Sequence, residues 1–297
     1  MRPRQREFLI ETLIKAAGFS AILFMALIFL FLLKEGAPAF WETWLGNLFG
    51  QRWYPNEDLF GTLPLILGSL LVTIGAVMIA LPLGLATAIF VRELAPNWLR
   101  EILKPLIEVL AGIPSVVLGF LGMVAITPLV RELLNVPTGL TAFTGSLMLA
   151  YMALPTMISV AEDAIDAVPR SYRDGALALG ATRWQTIWRV VLPAARSGVI
   201  MAVMLGIGRA IGETMAVMMV TGNAARIPHE WYALFMPVRT MTATIAAEMG
   251  EVARGGTHYH VLFAVGILLF VVTFIINAVA SLVIIRGGPR RGGRLMG

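Results

Sequence analysis

Residues 174–194 read DGALALGATRWQTIWRVVLPA, and this polar, arginine-containing stretch lies between two long hydrophobic runs of the 297-residue chain. The stretch is too polar to lie in lipid and too rich in helix-forming residues to be a flexible linker. We therefore interpret it as an ordered connection between two membrane-spanning helices, which predicts an all-α polytopic membrane protein.

The connection contains signals for two short helices. Residues 173–179 favour helix, Gly180 is suited to end that helix, and Thr182 can cap a second helix over 183–191. Leu192-Pro193 is then predicted to stop the second helix before the next span. Two short helices joined at a glycine form a compact protrusion that suits a groove on a partner protein. The alternative is an ordinary amphipathic loop at the membrane interface.

The composition agrees with a membrane protein. Hydrophobic residues make up 58% of the chain and charged residues 14%, with a mean hydropathy of +0.81, whereas soluble chains carry about 25% charged residues. The net charge of +5 would suggest nucleic-acid binding in a soluble protein. Here the basic residues flank hydrophobic runs, as orientation in a membrane requires, so we expect the lipid bilayer as a partner and no nucleic acid.

The sequence predicts neither a disulfide nor a metal site. The chain has no cysteine, which excludes disulfides and cysteine-based metal sites. His258 and His260 are spaced like a pair of ligands, but two ligands fall short of a zinc set. We interpret this pair as part of a solvated loop.

Six hydrophobic segments are long enough to cross a bilayer core about 30 Å thick, which needs about 20 apolar residues per helix. They lie at about 14–33, 64–91, 106–130, 143–162, 197–221 and 262–285. If the N-terminus is cytoplasmic, 16 of the 23 Lys and Arg residues fall in inside segments and six in outside segments. This bias predicts that both termini and the 163–196 connection are cytoplasmic.

The first hydrophobic run has two interpretations. Basic residues precede it, and residues 37–39 (Ala-Pro-Ala) resemble a signal-peptide cleavage site. However, the apolar run over 16–33 exceeds the usual 7–15 residues, and Lys34 and Glu35 intervene before the small residues. We favour a retained helix.

Internal prolines interrupt several predicted helices. Pro82 and Pro155 fall within the second and fourth runs, and the third run contains residues 112–115 (Gly-Ile-Pro-Ser). Prolines kink helices and are tolerated in membranes where neighbours satisfy the freed carbonyl. They indicate either curvature for packing or a lining that bends around a substrate path, and both alternatives stand.

A charged pair lies in the fifth hydrophobic run. Arg209 is near its midpoint, and Glu213 follows four residues later on the same predicted helix face. An arginine at the bilayer centre costs about 2.5–3.5 kcal/mol even on the mildest scale, so it must face the bundle interior or a watery cavity. One alternative is a mutual ion pair that locks helix packing. We favour the other, in which the guanidinium stabilises an anion in transit and Glu213 holds it in place, because guanidinium geometry matches phosphate oxygens.

The connection resembles the cytoplasmic coupling loop of permease subunits in binding-protein-dependent ABC importers of the type I fold. It carries an acidic-Gly-Ala triplet, a later glycine and an aliphatic-x-Leu-Pro ending, namely Asp174, Gly175, Ala176, Gly180, Val190, Leu192 and Pro193. Asp174 and Gly175 stand where the family usually has Glu and Ala, and Val190 stands where Ile is common. An acidic and a small residue remain, so the resemblance implies that a separate ATPase docks here.

The resemblance covers about residues 60–285 and implies a six-helix permease with a MetI-like core. On this basis residues 1–63 form a cytoplasmic tail, a first transmembrane helix and an outside loop. Residues 64–285 form the permease domain, with the coupling loop at about 166–196, and residues 286–297 form a basic cytoplasmic tail.

Four further segments resemble the permeases of phosphate importers. They are FGTLPLILGSLLVTIG (60–75), LAGIPSVVLGFLG (110–122), RAIGETMAVMMVTGN (209–223) and PVRTMTATIAAEMGE (237–251). Arg209 and Glu213 correspond to the charged pair that such permeases carry in the translocation path. We expect Ser115 and Thr214 to contribute hydroxyls to that path, which is our own inference and is not implied by the resemblance.

This resemblance also implies the partners and the location. They are a second homologous permease forming a heterodimer, two copies of an ATP-binding subunit, and a periplasmic or extracellular phosphate-binding protein. The expected location is a bacterial cytoplasmic (inner) membrane, which the chain crosses several times.

No G-x-x-x-x-G-K-[ST] motif occurs in the chain, so no P-loop binds nucleotide here. We expect a non-catalytic subunit that binds no cofactor, with ATP hydrolysed by its partner. One alternative is a permease for another oxyanion, sulfate or molybdate. A second is an ion-coupled secondary transporter with Arg209 and Glu213 as a proton relay, which leaves the 174–193 protrusion unexplained.

Overall fold

The computed structural model describes residues 3–43, 45–228 and 232–287, and this part of the chain is mainly helical. Six of its helical segments are long and apolar enough to cross a membrane: Ile10–Glu42, Leu63–Leu94, Ser115–Leu134, Ala142–Asp166, Arg183–Gly212 and Thr257–Val279. The predicted all-α fold with six transmembrane helices is therefore confirmed. Residues 1–2 of the predicted N-terminal tail and residues 288–297 of the predicted C-terminal tail lie outside the described residues.

The elements follow one another with short connections. The helices are α1 (Pro3–Gly36), α2 (Ala39–Glu42), α3 (Leu45–Leu48), α4 (Leu63–Ile89), α5 (Asn97–Ala111), α6 (Ser115–Leu121), α7 (Thr127–Leu134), α8 (Ala142–Asp166), α9 (Arg170–Ala178), α10 (Arg183–Thr186), α11 (Leu192–Gly212), α12 (Met215–Val220), α13 (Met241–Glu248) and α14 (Thr257–Gly287). Wider π-helical turns cover Phe90–Leu94, Gly122–Ile126 and Ile187–Val191, and 3₁₀ turns cover Pro55–Glu57 and Ala233–Phe235. The strands β1 (Trp53–Tyr54) and β2 (Leu59–Phe60) pair antiparallel, with Trp53 opposite Phe60.

The centre of the bundle is the packing of α8 between α4 and α11. Buried small and aliphatic residues fill this contact: Val72, Ala76, Ala80, Leu149, Ala150, Ala153, Met157 and Ala210. Because lipid tails are as apolar as these side chains, the helices are held by close packing, which small residues permit. Gly198 of α11 shows how close the approach is, since a Cβ there would overlap the Cβ of Ala164 on α8.

The first helix packs along the last. Phe29 of α1 lies 4.7 Å, ring centroid to ring centroid, from Phe270 of α14, and Phe31 lies 5.6 Å from Phe263. Most of α1 is exposed and apolar in the single chain, as suits a helix in contact with lipid.

The third predicted helix, over 106–130, is wrong in its boundaries. The chain instead forms α5, which ends at Ala111, and a separate span that begins at Ser115. Pro114 is extended at ψ 137°, so the chain leaves the helical path between α5 and the span, and the proline has no N–H with which to bond back to α5. Pro82 and Pro155, which were predicted to fall within helices, do lie inside continuous helices.

The helix α5 is tied to the end of α8 by ion pairs. The Nζ of Lys104 lies 3.3 Å from Glu162 Oε2 and 3.4 Å from Asp163 Oδ1. Burial alone would lower the pKa of Lys104, but the two carboxylates outweigh it and raise that pKa above its ordinary value. The amine therefore stays charged at neutral pH, and the contact persists there.

The predicted stop at Leu192-Pro193 is also wrong. The helical path runs from α10 through the π-helical turn at Ile187–Val191 directly into α11. The N–H of Leu192 bonds to the carbonyl of Ile187, and Pro193 falls in the first turn of α11. Pro193 has no N–H to donate, and it lies just after the π-helical turn, where the regular α-helical bonding is already interrupted.

We expect Gly198→Ala to destabilise the bundle, because the added methyl overlaps Ala164, which has no rotatable side chain to yield. The cost of such overpacking is typically about 1–3 kcal/mol. Thermal unfolding in detergent measures it as a lower midpoint. Gly18→Ala is the matched control, since a Cβ at Gly18 of α1 meets nothing within 4 Å. An unchanged midpoint for Gly198→Ala would contradict the close α8–α11 contact.

Candidate functional site

The segment 170–191 forms a protrusion at the end of the bundle where α8 ends. The helix α9 is followed by Gly180, whose φ of +83° lies in the left-handed region that favours glycine. Thr182 then caps α10: its Oγ1 accepts from the N–H of Gln185, and the Gln185 side chain accepts from the N–H of Thr182. The predicted helix end, glycine and cap are confirmed.

One arginine anchors this protrusion to the bundle. The guanidinium of Arg173 donates two hydrogen bonds to Glu93 Oε1, from Nη2 at 2.6 Å and from Nε at 3.1 Å. It also donates to the carbonyls of Val168 and Ile165, at 2.6 and 2.8 Å. The side chains of Arg173 and Glu93 are 17% and 13% exposed. Because such a partly buried, fully bonded pair is costly to break, it fixes α9 against the end of α8 and the turn after α4.

The protrusion carries large apolar side chains that are exposed. Leu179 is 91% exposed, and Trp184 and Trp188 are also exposed and contact each other edge to face at 5.7 Å between ring centroids. Large apolar groups clustered on an exposed surface mark an interaction site. We name Leu179, Trp184 and Trp188 the apolar cap of the protrusion.

The seven residues of the sequence motif occupy different positions in this protrusion. Asp174, Gly175, Gly180 and Pro193 are exposed, Val190 and Leu192 are half-buried, and Ala176 is buried. A Cβ at Gly175 meets nothing within 4 Å, so packing within this chain does not require glycine there. Sequence reasoning missed the apolar cap and Arg173, although two tryptophans in a polar connection were a visible signal.

A second candidate region is the break between α11 and α12. The fifth predicted helix was expected to continue to residue 221, but α11 ends at Gly212 and Glu213 is extended at ψ 133°. The Oε1 of Glu213 accepts from the N–H groups of Thr214 and Ala216, at 3.1 and 3.3 Å. Its backbone carbonyl accepts from Thr242 Oγ1 at 2.8 Å. These bonds satisfy groups that the interrupted helix leaves free.

Glu213 is the capping residue at the end of α11, and its carboxylate is bonded to backbone N–H groups of the next segment and not to Arg209. No ion pair joins these two described residues. Arg209 lies in the last turn of α11, is exposed, and donates from Nη1 to Thr156 Oγ1 of α8 at 3.4 Å. It lines a cleft of about 410 Å³ with residues of α11 and α14: Met201, Met204, Leu205, Gly208, Asn277 and Ser281.

The two hydroxyl candidates lie at the starts of packed helices. Ser115 opens α6 and is half-buried, and Thr214 precedes α12, with its Oγ1 donating to the carbonyl of Gly212 at 3.4 Å. The helices α6 and α12 contact each other through Leu118 and Ala216. The structure thus places both hydroxyls at helix starts on two elements that pack together.

A third region, which sequence reasoning missed, is centred on Glu248 at the opposite end of the bundle from the protrusion. The Oε1 of Glu248 lies 2.8 Å from Arg239 Nη2 and accepts from Trp53 Nε1 at 3.1 Å. Its Oε2 lies 2.9 Å from His258 Nε2. We name these four residues the Glu248 cluster. An arginine and a glutamate nine residues apart, Arg239 and Glu248, in the 237–251 segment were the available signal.

The Glu248 cluster is connected to the break through α13. Thr240 caps α13, Met241 N donates to Ser69 Oγ of α4 at 2.9 Å, and Thr242 reaches the carbonyl of Glu213. The helix α13 therefore bridges α4 and the break at Glu213, four residues after Arg209.

The histidines do not form a solvated loop, which corrects that interpretation. His258 and His260 lie in the first turn of α14 and are half-buried. His258 contacts the carboxylate of Glu248, and His260 Nδ1 lies 2.7 Å from the carbonyl of Glu35. Folding thus brings protein partners to both rings. Over residues 3–43, 45–228 and 232–287, no group of three or more His, Cys, Asp or Glu is arranged to hold a metal ion.

Comparison with known proteins gives a family match. The model of the binding-protein-dependent transport system inner membrane component matches residues 80–286. The probable ABC transporter permease protein YqgH of Bacillus subtilis is 42% identical over 226 residues, covering 75% of this chain and 72% of that protein. The phosphate transport system permease protein PstC of Mesorhizobium japonicum is 38% identical over 264 residues, covering 82% and 80%.

Two solved structures share the fold. A chain of the inward-facing MetNI methionine ABC transporter aligns with a TM-score of 0.62 at 18% identity, covering 80% of this chain and 100% of that one. A chain of a bacterial ABC transporter involved in alginate import aligns with a TM-score of 0.63 at 16% identity, covering 95% and 96%.

We expect Arg173→Gln to loosen the protrusion, because it leaves the carboxylate of Glu93 partly buried without its ion-pair partner, at a cost of about 3–5 kcal/mol for a fully buried pair and less here. Hydrogen–deuterium exchange over residues 170–191 should rise by at least tenfold. Arg170→Gln is the control on the same helix, since Arg170 is exposed. Equal exchange in the two variants would show that Arg173 does not anchor the protrusion.

Proposed function

The chain belongs to the family of binding-protein-dependent transport system inner membrane components, and from that premise we propose that it is the permease subunit of an ATP-driven phosphate importer. The assignment of phosphate as the solute rests on the sequence identity to proteins named as phosphate transport permeases, which extends over about four-fifths of the chain. Those names favour phosphate over sulfate or molybdate. As a polytopic inner-membrane protein, this chain forms part of the path across the bilayer.

The protrusion supports docking of a separate ATPase. The apolar cap offers an exposed contact surface, and Arg173 holds that surface rigidly on the bundle. The π-helical turn joins α10 to α11 without a break, so a push on α10 is transmitted along α11 towards Arg209. In this mechanism ATP binding closes the ATPase, which tilts α11 between inward-open and outward-open arrangements. ATP is bound and hydrolysed by that partner, and this chain acts without catalysis or a cofactor.

Arg209 supports an anionic solute. The carboxylate of Glu213 is engaged with backbone N–H groups at the start of α12, so it does not neutralise Arg209. The guanidinium is held by a weak contact to Thr156 and faces a cleft. A cation that faces open space in a membrane protein suits an anion in transit, since it would be costly in lipid. Glu213 acts in this proposal by shaping the break, with Ser115 and Thr214 as further polar groups of the path.

The proposed assembly follows from the family and from the exposed faces. ABC importer permeases work with an ATPase subunit and a substrate-binding protein. We place two copies of the ATPase below the protrusions of this chain and of a second homologous permease. The second permease covers the face that carries Arg209. We place both termini and the protrusion in the cytoplasm, which the charge bias of the connections supports. A phosphate-binding protein then docks at the end that carries the Glu248 cluster.

We expect Leu179→Glu to weaken docking of the ATPase by at least tenfold, since a charge then replaces the most exposed apolar group of the cap. Tenfold corresponds to about 1.4 kcal/mol of binding free energy. Co-purification of the ATPase with the permease measures this. Leu179→Met conserves volume and should co-purify normally. Full retention of the ATPase by Leu179→Glu would contradict the docking assignment.

Arg209→Ala should abolish ATP-driven phosphate uptake in proteoliposomes that contain both permeases, the ATPase and the binding protein. Co-purification of all subunits checks assembly, because Arg209 lies on the face that the second permease covers. Arg209→Lys keeps the charge but loses the planar fork, so we expect partial uptake. Uptake at the unmodified rate by Arg209→Ala would refute the anion role. Phosphate uptake without ATP or the ATPase would refute the importer class.

A further inference from the structure

The last transmembrane helix carries a stripe of polar residues. Thr273, Asn277 and Ser281 recur at four-residue spacing in α14, which places them along one face of the helix. Their neighbours along the helix are almost all apolar. Thr273 is satisfied locally, because its Oγ1 donates to the carbonyl of Leu269 at 2.8 Å. The side chains of Asn277 and Ser281 are therefore the two polar groups of the stripe whose partners remain to be explained.

Asn277 and Ser281 line the same cleft as Arg209. This cleft lies between α11 and α14 and has a volume of about 410 Å³. Both side chains are exposed in the single chain, and within the described residues neither makes a side-chain hydrogen bond. The other lining groups are Met201, Met204, Leu205 and Gly208. The cleft thus combines one cation, one amide and one hydroxyl, and none of its lining residues is acidic.

Such a set of groups is unsuited to lipid. An amide or hydroxyl without a hydrogen-bond partner costs several kcal/mol in hydrocarbon, and a guanidinium adds to that cost. The exposed surface of α1, by contrast, presents large apolar side chains such as Phe19, Ile22 and Met25. In the proposed assembly the second permease covers this face, so the cleft becomes an interior space of the membrane-spanning region that suits water or a polar ligand.

We propose that Asn277 and Ser281, together with Arg209, form a binding site for a partly protonated tetrahedral oxyanion, which makes α14 a second wall of the solute path. This inference rests on the proposed function and extends it to a helix that the sequence motifs did not single out. Arg209 only donates hydrogen bonds, whereas the Asn amide and the Ser hydroxyl both donate and accept. The carbonyl oxygen of Asn277 accepts from a P–OH group, which hydrogen phosphate retains at neutral pH and sulfate lacks.

The decisive variant is Asn277→Leu in the complete transporter reconstituted with its binding protein and ATPase. The measurement is ATP-driven uptake of inorganic phosphate against phosphate concentration. A hydrogen bond to a charged group contributes enough that its loss changes affinity about tenfold. We expect uptake at subsaturating phosphate to fall by about that factor, and Asn277→Asp to fall further because its carboxylate repels the anion.

Thr273→Val is the matched control. It removes a hydroxyl from the same stripe, but that hydroxyl is satisfied within the helix and lies outside the cleft lining. Uptake by Thr273→Val should stay within about twofold of the unmodified transporter, the range expected for a change that loses no solute contact. Co-purification of all subunits checks assembly, and Asn277→Ala, which adds no bulk, replaces Asn277→Leu if assembly is reduced.

The outcomes separate the two levels of the proposal. If assembled Asn277→Leu and Asn277→Ala transport phosphate like Thr273→Val while Arg209→Ala does not transport, the α14 site is refuted and the phosphate permease stands. In that case the cleft serves only to pack the second permease. If the unmodified transporter takes up no phosphate, the proposed function itself fails.

Discussion

Every backbone N–H and C=O within the bilayer has to find its partner inside the protein, and the architecture depends on this constraint. It accounts for the long helices, and it also determines where a helix can stop. At the α11–α12 break the missing intrahelical bonds are supplied by the carboxylate of Glu213 and the hydroxyl of Thr242. Where such groups are present the chain can change direction within the membrane-spanning region, and it does so beside Arg209.

The break between α11 and α12 changes which partners Arg209 and Glu213 bond to. In a continuous helix, Arg209 and Glu213 would neighbour each other one turn apart, and the pair would be largely self-neutralised. Because the helix is interrupted, the carboxylate of Glu213 accepts from backbone N–H groups. The guanidinium of Arg209 is then available to bind other partners. The cleft between α11 and α14 then collects the polar groups of two helices around this arginine. We propose that solute selectivity depends on residues of both helices and not on one motif.

The protrusion and the break are parts of one mechanical element. Arg173 holds α9 against Glu93 and the end of α8, while the π-helical turn keeps α10 and α11 in one path. At the other end, α13 links the break to α4 and to the Glu248 cluster. A displacement at either end of the bundle therefore acts on the same segment, because packed helices shift as units rather than deforming continuously.

Hydrophobic length, the distribution of Lys and Arg, and the glycine and cap of the connection were readable along the chain, because each depends on neighbours in sequence or on the bilayer. They determined the fold class, the number of spans and the local form of the protrusion. The end of α11 at Gly212, the path through Pro193 and the surroundings of His258 were decided only by the tertiary structure. Each of these depends on hydrogen-bond partners or packing supplied by distant segments, such as Thr242 for Glu213 and Glu248 for His258. The convergence of Asn277 with Arg209 has the same cause, since Asn277 lies 68 positions after Arg209 in the sequence and only helix packing brings both to one cleft.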